Sequence, residues 1–219
     1  ATADPLRLDT GEAALKLWQV GGGRPNAVVY FGGNAEDVST SVDELGAALP
    51  EHALYAVHYR GYGGSSGTPS EQGLYHDALV VFDYVAERHE TVAVIGRSLG
   101  SGVATKVAVE RDVERLVLVT PFDSISRLAQ ARFPWLPIGL LLKHRFDSLG
   151  RAAAVHCPTL VIVATDDEVI PRKHTDALVS ALNNTAPTVV ELHGEGHNTV
   201  SAAPRYATAL ADFFSSAPR

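Results

Sequence analysis

Short apolar runs alternate with longer segments of helical period along nearly the whole chain. This alternation limits the fold more than any other feature. The runs at 15–20 (LKLWQV), 27–31 (AVVYF), 54–59 (LYAVHY), 92–95 (VAVI), 116–119 (LVLV), 160–164 (LVIVA) and 189–192 (VVEL) are rich in Val, Ile, Leu and Ala. Most lack polar alternation, the pattern of parallel strands covered on both faces. Helical spacing fills 42–49, 74–88, 98–109, 174–182 and 204–214. Such alternation builds βαβ units, so the expected fold class is α/β, a mostly parallel, doubly wound sheet of about eight strands. Residues 6–8, the Thr10-Gly11-Glu12 turn and the run from Leu15 predict a hairpin at the antiparallel edge of the sheet.

The 219 residues fit a single domain, 1–219, because α/β folds commonly reach this length as one unit. Within it, 124–155 breaks the rhythm. This stretch holds no strand candidate, and it carries Pro134, Pro137, Phe133, Trp135 and the cluster Leu140, Leu141, Leu142 and Phe146. It reads as a helical insert covering a site at the carboxyl ends of the strands. The competing reading is a pair of helices that complete the core. A hydrophobic content of 46% with 20% charged residues excludes intrinsic disorder. A net charge of −7 argues against nucleic acid as a partner. The longest apolar stretch, 135–142, is too short to span a bilayer. The chain lacks Met and opens at Ala1, so an upstream signal, anchor or tag is expected, and localisation depends on it.

The residues Gly96-Arg97-Ser98-Leu99-Gly100 fit G-x-S-x-G, directly after the 92–95 run and at the start of a helical segment. That strand–turn–helix setting is what a nucleophile elbow requires. The glycines permit a turn so tight that side chains there would collide with neighbouring elements. The turn lifts Ser98 Oγ clear of the sheet, and the helix N-terminus beneath favours developing negative charge. A Gly-rich helix cap without chemistry is the competing reading, and the motif's context weighs against it.

A serine nucleophile needs a base held by a carboxylate, in the chain order Ser, acid, His. Asp166, Asp167 and Glu168 follow the 160–164 run, and His197 sits in a Gly-flanked turn after 189–192. The residue types alone leave Asp166 and Asp167 open. His193 and His197 have the i, i+4 spacing of a metal pair, but two glycines intervene and no helix carries them. No metal or cofactor is expected. His58, on a strand, reads as a packed residue. Cys157, the one cysteine, precedes Pro158 and reads as a small packing residue.

With these residues in view, the chain resembles the α/β-hydrolase superfamily, and among its members the compact, small-lid serine hydrolases of prolyl-oligopeptidase-like or depalmitoylase-like type. The resemblance runs from Leu15 to Phe214. It rests on Tyr30-Phe31-Gly32-Gly33-Asn34-Ala35, Tyr59-Arg60-Gly61-Tyr62-Gly63-Gly64-Ser65, the elbow, Asp167-Glu168-Val169-Ile170-Pro171 and Gly196-His197-Asn198. It implies the acid at Asp167. It also implies an oxyanion hole of two backbone N–H groups, those of Leu99 and Asn34. Gly32 stands where many relatives carry His, so the wall of that hole is expected to differ. The resemblance places the 60–67 loop near the rim of the site; its glycines and Arg60 read as structural, with Arg60 holding neighbouring loops, and a substrate contact is the competing reading.

The expected activity is hydrolysis of carboxylic esters or thioesters through a Ser98-His197-Asp167 acyl-enzyme mechanism, by a chain acting as a monomer on a small or lipid-like acyl substrate. Phe133, Trp135 and Leu140 are the expected substrate contacts. Lys143, His144 and Arg145 read as a solvated helix end, with a lipid interface as the competing reading. The alternative activities are a small serine peptidase of aminopeptidase-like type, or a non-catalytic binding protein on a hydrolase scaffold.

Overall fold

The structure is a computed structural model that describes residues 3–136 and 138–216, with the backbone alone at 139 and 140. Eight strands form one sheet: β1 (Asp4–Asp9), β2 (Ala14–Val20), β3 (Asn26–Phe31), β4 (His52–Val57), β5 (Thr91–Arg97), β6 (Leu116–Val119), β7 (Thr159–Ala164) and β8 (Thr188–Leu192). Their spatial order is β1-β2-β4-β3-β5-β6-β7-β8. From β4 to β8 every pairing is parallel, while β1 and β2 pair antiparallel with each other and β2 with β4. This is the sheet the sequence predicts, hairpin edge included.

The pleat explains why the central strands read as continuous apolar runs. In β3, Ala27, Val29 and Phe31 face one core, and Val28 and Tyr30 face the other. The first core is closed by α2 (Glu71–Ala86), α3 (Leu99–Glu110) and α6 (Arg172–Ala181), the second by α1 (Val38–Ala48) and α7 (Pro204–Ser215). A strand buried on both faces has no position for a polar side chain. Two of these helices, α1 and α2, begin at side-chain caps the sequence supplies. Asp37 accepts from Ser39 N–H at α1, and Ser70 accepts from Gly73 N–H at α2.

Strand β4 ends at Val57, two residues earlier than its apolar run suggests. Beyond it the chain turns its side chains to other tasks. Tyr59 Oη donates to Gly32 O at 2.8 Å, and Trp18 Nε1–H donates to the packed His58 at 3.1 Å. Arg60, buried, donates through Nε and Nη2 to the two oxygens of buried Asp77 on α2, each at 2.8 Å, and reaches Glu12 at 3.2 Å. Asp77 also accepts from Thr10 Oγ1 at 2.7 Å. One bidentate ion pair thus joins the amino-terminal hairpin, the 60–67 loop and α2.

The insert lies between β6 and β7. It contains α4 (Ile125–Arg132), α5 (Ile138–Leu141) and a single 3₁₀ turn (Ala152–Ala154), and no strand among its described residues.

The buried pair generates a stability prediction. Asp77→Ala removes the buried carboxylate of Arg60, leaving it only the exposed Glu12, and is expected to lower unfolding free energy by about 3–5 kcal/mol. Urea denaturation measures it. Arg88→Ala, which breaks a surface pair with Glu87, is expected to change stability by less than about 1 kcal/mol.

Candidate active site

The carboxyl ends of β3, β5, β7 and β8 open on the same side of the sheet, with β6 between β5 and β7, and each delivers one part of the site. Strand β5 ends in the turn that carries Ser98. Its backbone is at φ +50°, ψ −117°, a region that costs a non-glycine residue about 1–3 kcal/mol. The surroundings hold it there, since Ser98 N–H donates to Val119 O at 2.9 Å. A Cβ on Gly96 would meet Gly100 O at 2.3 Å, and a Cβ on Gly100 would meet Phe31 O at 2.0 Å. Both motif glycines are therefore places where backbone passes directly against backbone.

His197 approaches from the loop after β8. Its Nε2 lies 2.9 Å from Ser98 Oγ, and its Nδ1 lies 2.8 Å from Asp167 Oδ2. The other oxygen of Asp167 accepts the N–H groups of Val169 at 2.9 Å and Ile170 at 2.7 Å. Burial works against the Asp167 anion, but the imidazole and these two N–H groups outweigh it and hold the carboxyl below its usual range. An ionised Asp167 can only accept, so Nδ1 carries the ring proton and Nε2 presents its lone pair to the serine hydroxyl. Asp166, which the residue types left open against Asp167, is exposed, and its carboxylate accepts from Thr165 Oγ1 at 3.2 Å instead. Exposed His193 lies away from this chain of hydrogen bonds.

Beside Ser98 the backbone N–H groups of Leu99 and Asn34 take no internal acceptor among the described residues. Ala35, next to Asn34, has φ +58°, so the loop after β3 also passes through the left-handed region. The space at Gly32 is already filled: a Cβ there would meet Val38 Cγ1 at 2.7 Å and the Glu36 carboxylate carbon at 3.0 Å.

Two residues outside the expected set connect these parts. The Glu36 carboxylate accepts from Gly33 N–H at 2.6 Å, Tyr30 Oη at 2.6 Å, Ser41 Oγ at 2.8 Å and Arg97 Nη1 at 2.7 Å. Burial opposes its charge, yet those four donors together hold its carboxyl below the usual range. Arg97, the variable residue before Ser98, donates from Nη2 to His197 O at 3.0 Å. The loop after β3, the elbow and the histidine loop are thereby tied through one ion pair. Glu168, a third unexpected participant, accepts His197 N–H at 3.0 Å. The sequence signal for Glu36 was its place three residues after Gly33. Its partner lies 61 residues away, beyond the reach of any local pattern.

A cavity of about 400 Å³ opens beside Ser98. Its walls include Tyr62, Leu74, Phe122, Leu128, Phe146 and Ile170. Phe133 and Trp135, expected as substrate contacts, do not line it. They follow the end of α4, whose inward positions are Ile125 and Leu128, and they stand 43% and 75% exposed. The Leu140 side chain lies outside the described residues. Cys157 is half-buried and away from the site, and its burial pushes its thiol up to about 11, which leaves the thiolate unpopulated at neutral pH.

A model of the family described as serine hydrolase (FSH1) matches residues 33–205. An uncharacterized protein of Mycobacterium tuberculosis is 39% identical over 183 residues, which make up 81% of this chain and 64% of that protein. Lysophosphatidylserine lipase ABHD12 of Mus musculus is 32% identical over 169 residues, 66% of this chain and 42% of that protein. The chain thus spans less than two thirds of the length of either relative. The Pyrococcus furiosus esterase Pf2001 shares the fold, with a TM-score of 0.79 at 17% identity over 97% of this chain and 91% of that one. The match over most of the chain, on a sheet of the same architecture, makes this protein a member of the serine hydrolase (FSH1) family, within the α/β-hydrolase superfamily.

Proposed function

We propose that the chain hydrolyses esters or thioesters of apolar acyl chains through an acyl-enzyme on Ser98. The observation that carries this reading is the unbroken hydrogen-bonded series from Asp167 through His197 to Ser98, ending at the mouth of an apolar cavity. In the first step Ser98 Oγ attacks the carbonyl carbon while His197 Nε2 takes its proton. The Leu99 and Asn34 N–H groups receive the oxyanion, and Asp167 stabilises the imidazolium. Collapse of the tetrahedral intermediate expels the alcohol or thiol, protonated by His197. A water activated by the same nitrogen then releases the carboxylic acid.

The cavity is the acyl site in this reading, and the 124–155 insert is its cover. Ile125 and Leu128 of α4 form part of the wall. The names of the relatives agree with ester substrates, one being a lysophosphatidylserine lipase and one an esterase. A peptidase would need a group to fix a peptide terminus. Among the described residues lining the cavity the carboxylate is Glu71, and its oxygens already accept Arg145 N–H at 2.7 Å and Phe146 N–H at 3.1 Å. Both of its oxygens are thus engaged in fastening the insert, which supports a structural role for Glu71 over that of a terminus-binding group.

Glu36 acts in this mechanism as a positioning residue. Its hold on Gly33 sets the Asn34 donor, and its pair with Arg97 sets the elbow and His197. Both Glu36 and Asp167 ionise more easily in the folded chain than in an unfolded one. The stability they contribute is complete above the ordinary carboxylate range near pH 4 and is lost as pH falls through their lowered folded values.

Three variants test the proposed chemistry. On p-nitrophenyl esters from acetyl to long acyl, the wild type is expected to favour a chain longer than acetyl, and Ser98→Ala to lose at least about a thousandfold in kcat. Activity that survives in Ser98→Ala contradicts the mechanism. Leu128→Trp, which fills the cavity, is expected to move the optimum toward acetyl, read from kcat/KM across the same panel. Glu36→Gln is expected to lower kcat by about 10–100-fold with little change in KM, because the loss falls on transition-state geometry. The same variant is expected to lose less stability on acidification from about pH 5 to about pH 2, since it lacks one of the depressed carboxyls.

A further inference from the structure

Six large hydrophobic side chains stand well exposed among the described residues, and four of them fall within nine residues of the insert: Phe133, Trp135, Leu136 and Leu141. Scattered exposed apolar residues are ordinary, but a cluster marks a contact surface. The body of the protein makes little use of this one. The Phe133 and Trp135 rings pack edge-to-face on each other with centroids 6.0 Å apart. Gln130 Nε2 donates to Phe133 O and Pro134 O at 3.3 and 3.2 Å, which fixes the tip where α4 ends.

The charge around the tip is of one sign. Residues 124–145 hold four Lys and Arg and no carboxylate, in a chain of net charge −7. Arg127 is paired with Asp123 at 2.9 Å. Arg132 and Lys143 are exposed and make no ion pair among the described residues. They flank the apolar tip on either side in sequence.

We propose that the tip docks on an anionic lipid membrane. Trp135, Leu136 and Leu141 enter the boundary between headgroups and acyl chains, and Arg132 and Lys143 meet the phosphates. Aromatic residues favour that boundary, and cations beside them gain from anionic headgroups. A second copy of the chain fits less well, because a two-fold contact at this surface brings two cationic tips together. The docked tip would also lead a lipid acyl chain to the cavity, since Leu128 before it and His144 after it both line that cavity. This last link rests on the proposed ester hydrolysis. The docking does not, and its test reads binding without turnover.

The test uses sedimentation with phosphatidylcholine vesicles, with and without phosphatidylserine. The chain is expected to bind only the phosphatidylserine vesicles, and more weakly as salt rises. Trp135→Ala and the double variant Arg132→Glu with Lys143→Glu are each expected to reduce binding by about tenfold or more. Both substitutions are exposed, so an unchanged thermal melt separates loss of docking from loss of fold. In Trp18→Phe, where Trp135 is the remaining indole, emission is expected to move to shorter wavelength on the same vesicles. Three results overturn the proposal. One is no binding, and another is binding that none of these substitutions changes. The third is self-association in sedimentation velocity that Trp135→Ala abolishes, which assigns the tip to a second copy. An active esterase with no vesicle binding defeats the docking alone, and vesicle binding without esterase activity defeats the catalytic reading alone.

Discussion

The close passage of α3 against the sheet is the constraint on which the site depends. A Cβ at Gly100 would lie 2.0 Å from Phe31 O, and one at Gly96 would lie 2.6 Å from Ala104 Cβ. These two contacts let the chain leave β5 and enter α3 in a single strained residue. The strain places Ser98 Oγ above the strand end with the first free N–H of the helix beside it. The same passage sets the distance between the elbow and the loop after β3, whose last strand residue is Phe31. Glu36 and Arg97 then take up that fixed distance as an ion pair, and the histidine loop is referred to it through His197 O. The parts of the site thus share one frame although they come from four separate strand ends.

The fold was legible because its central strands are buried on both faces, so their composition alone distinguishes them from helices of similar apolar content. The edge was legible from a different signal, the Thr10-Gly11 turn between two short runs. Ser98 was visible because a tight turn leaves a fixed glycine pattern, and His197 because catalytic loops follow strand ends. The choice of Asp167 over Asp166 came from the resemblance. Its physical basis is the direction of the turn: Asp167 accepts Val169 and Ile170 N–H and so points inward, whereas Asp166 is left outside. What stayed hidden were partnerships across long stretches of chain. Glu36 with Arg97, Glu71 with Arg145 and Phe146, and Glu168 with His197 pair residues that have no common local pattern. The outward placement of Phe133 and Trp135 stayed hidden for the same reason. An aromatic residue in a long insert reads as a pocket wall, and only the helix end before it decides that it faces outward.

The insert divides into a fastened base and an exposed tip. At the base, Glu71 holds the N–H groups of Arg145 and Phe146, Ile125 N–H donates to Arg145 O at 2.8 Å, and Leu149 N–H donates to Asp123 O at 2.9 Å. Buried Asp123 also binds His174 Nδ1 on α6 at 2.9 Å. Apolar contact does the rest, with Ile125, Leu128 and Phe146 packed on the cavity side. The tip carries the exposed apolar side chains and takes no part in these contacts. If the tip docks as proposed, an insert fastened in this way does so without loosening the cavity wall.

The central claim is that Ser98 is an activated nucleophile. The most direct measurement is covalent capture by a fluorophosphonate, followed by fragmentation of the tryptic peptide spanning 98–106. That peptide also contains Ser101, whose Oγ donates to Ser98 O at 2.7 Å in a fully buried setting, so the fragment ions decide between two hydroxyls. One phosphonyl group per chain is expected, on Ser98, formed far more slowly in His197→Ala. An unlabelled chain, or a label on another residue that persists in Ser98→Ala, contradicts it.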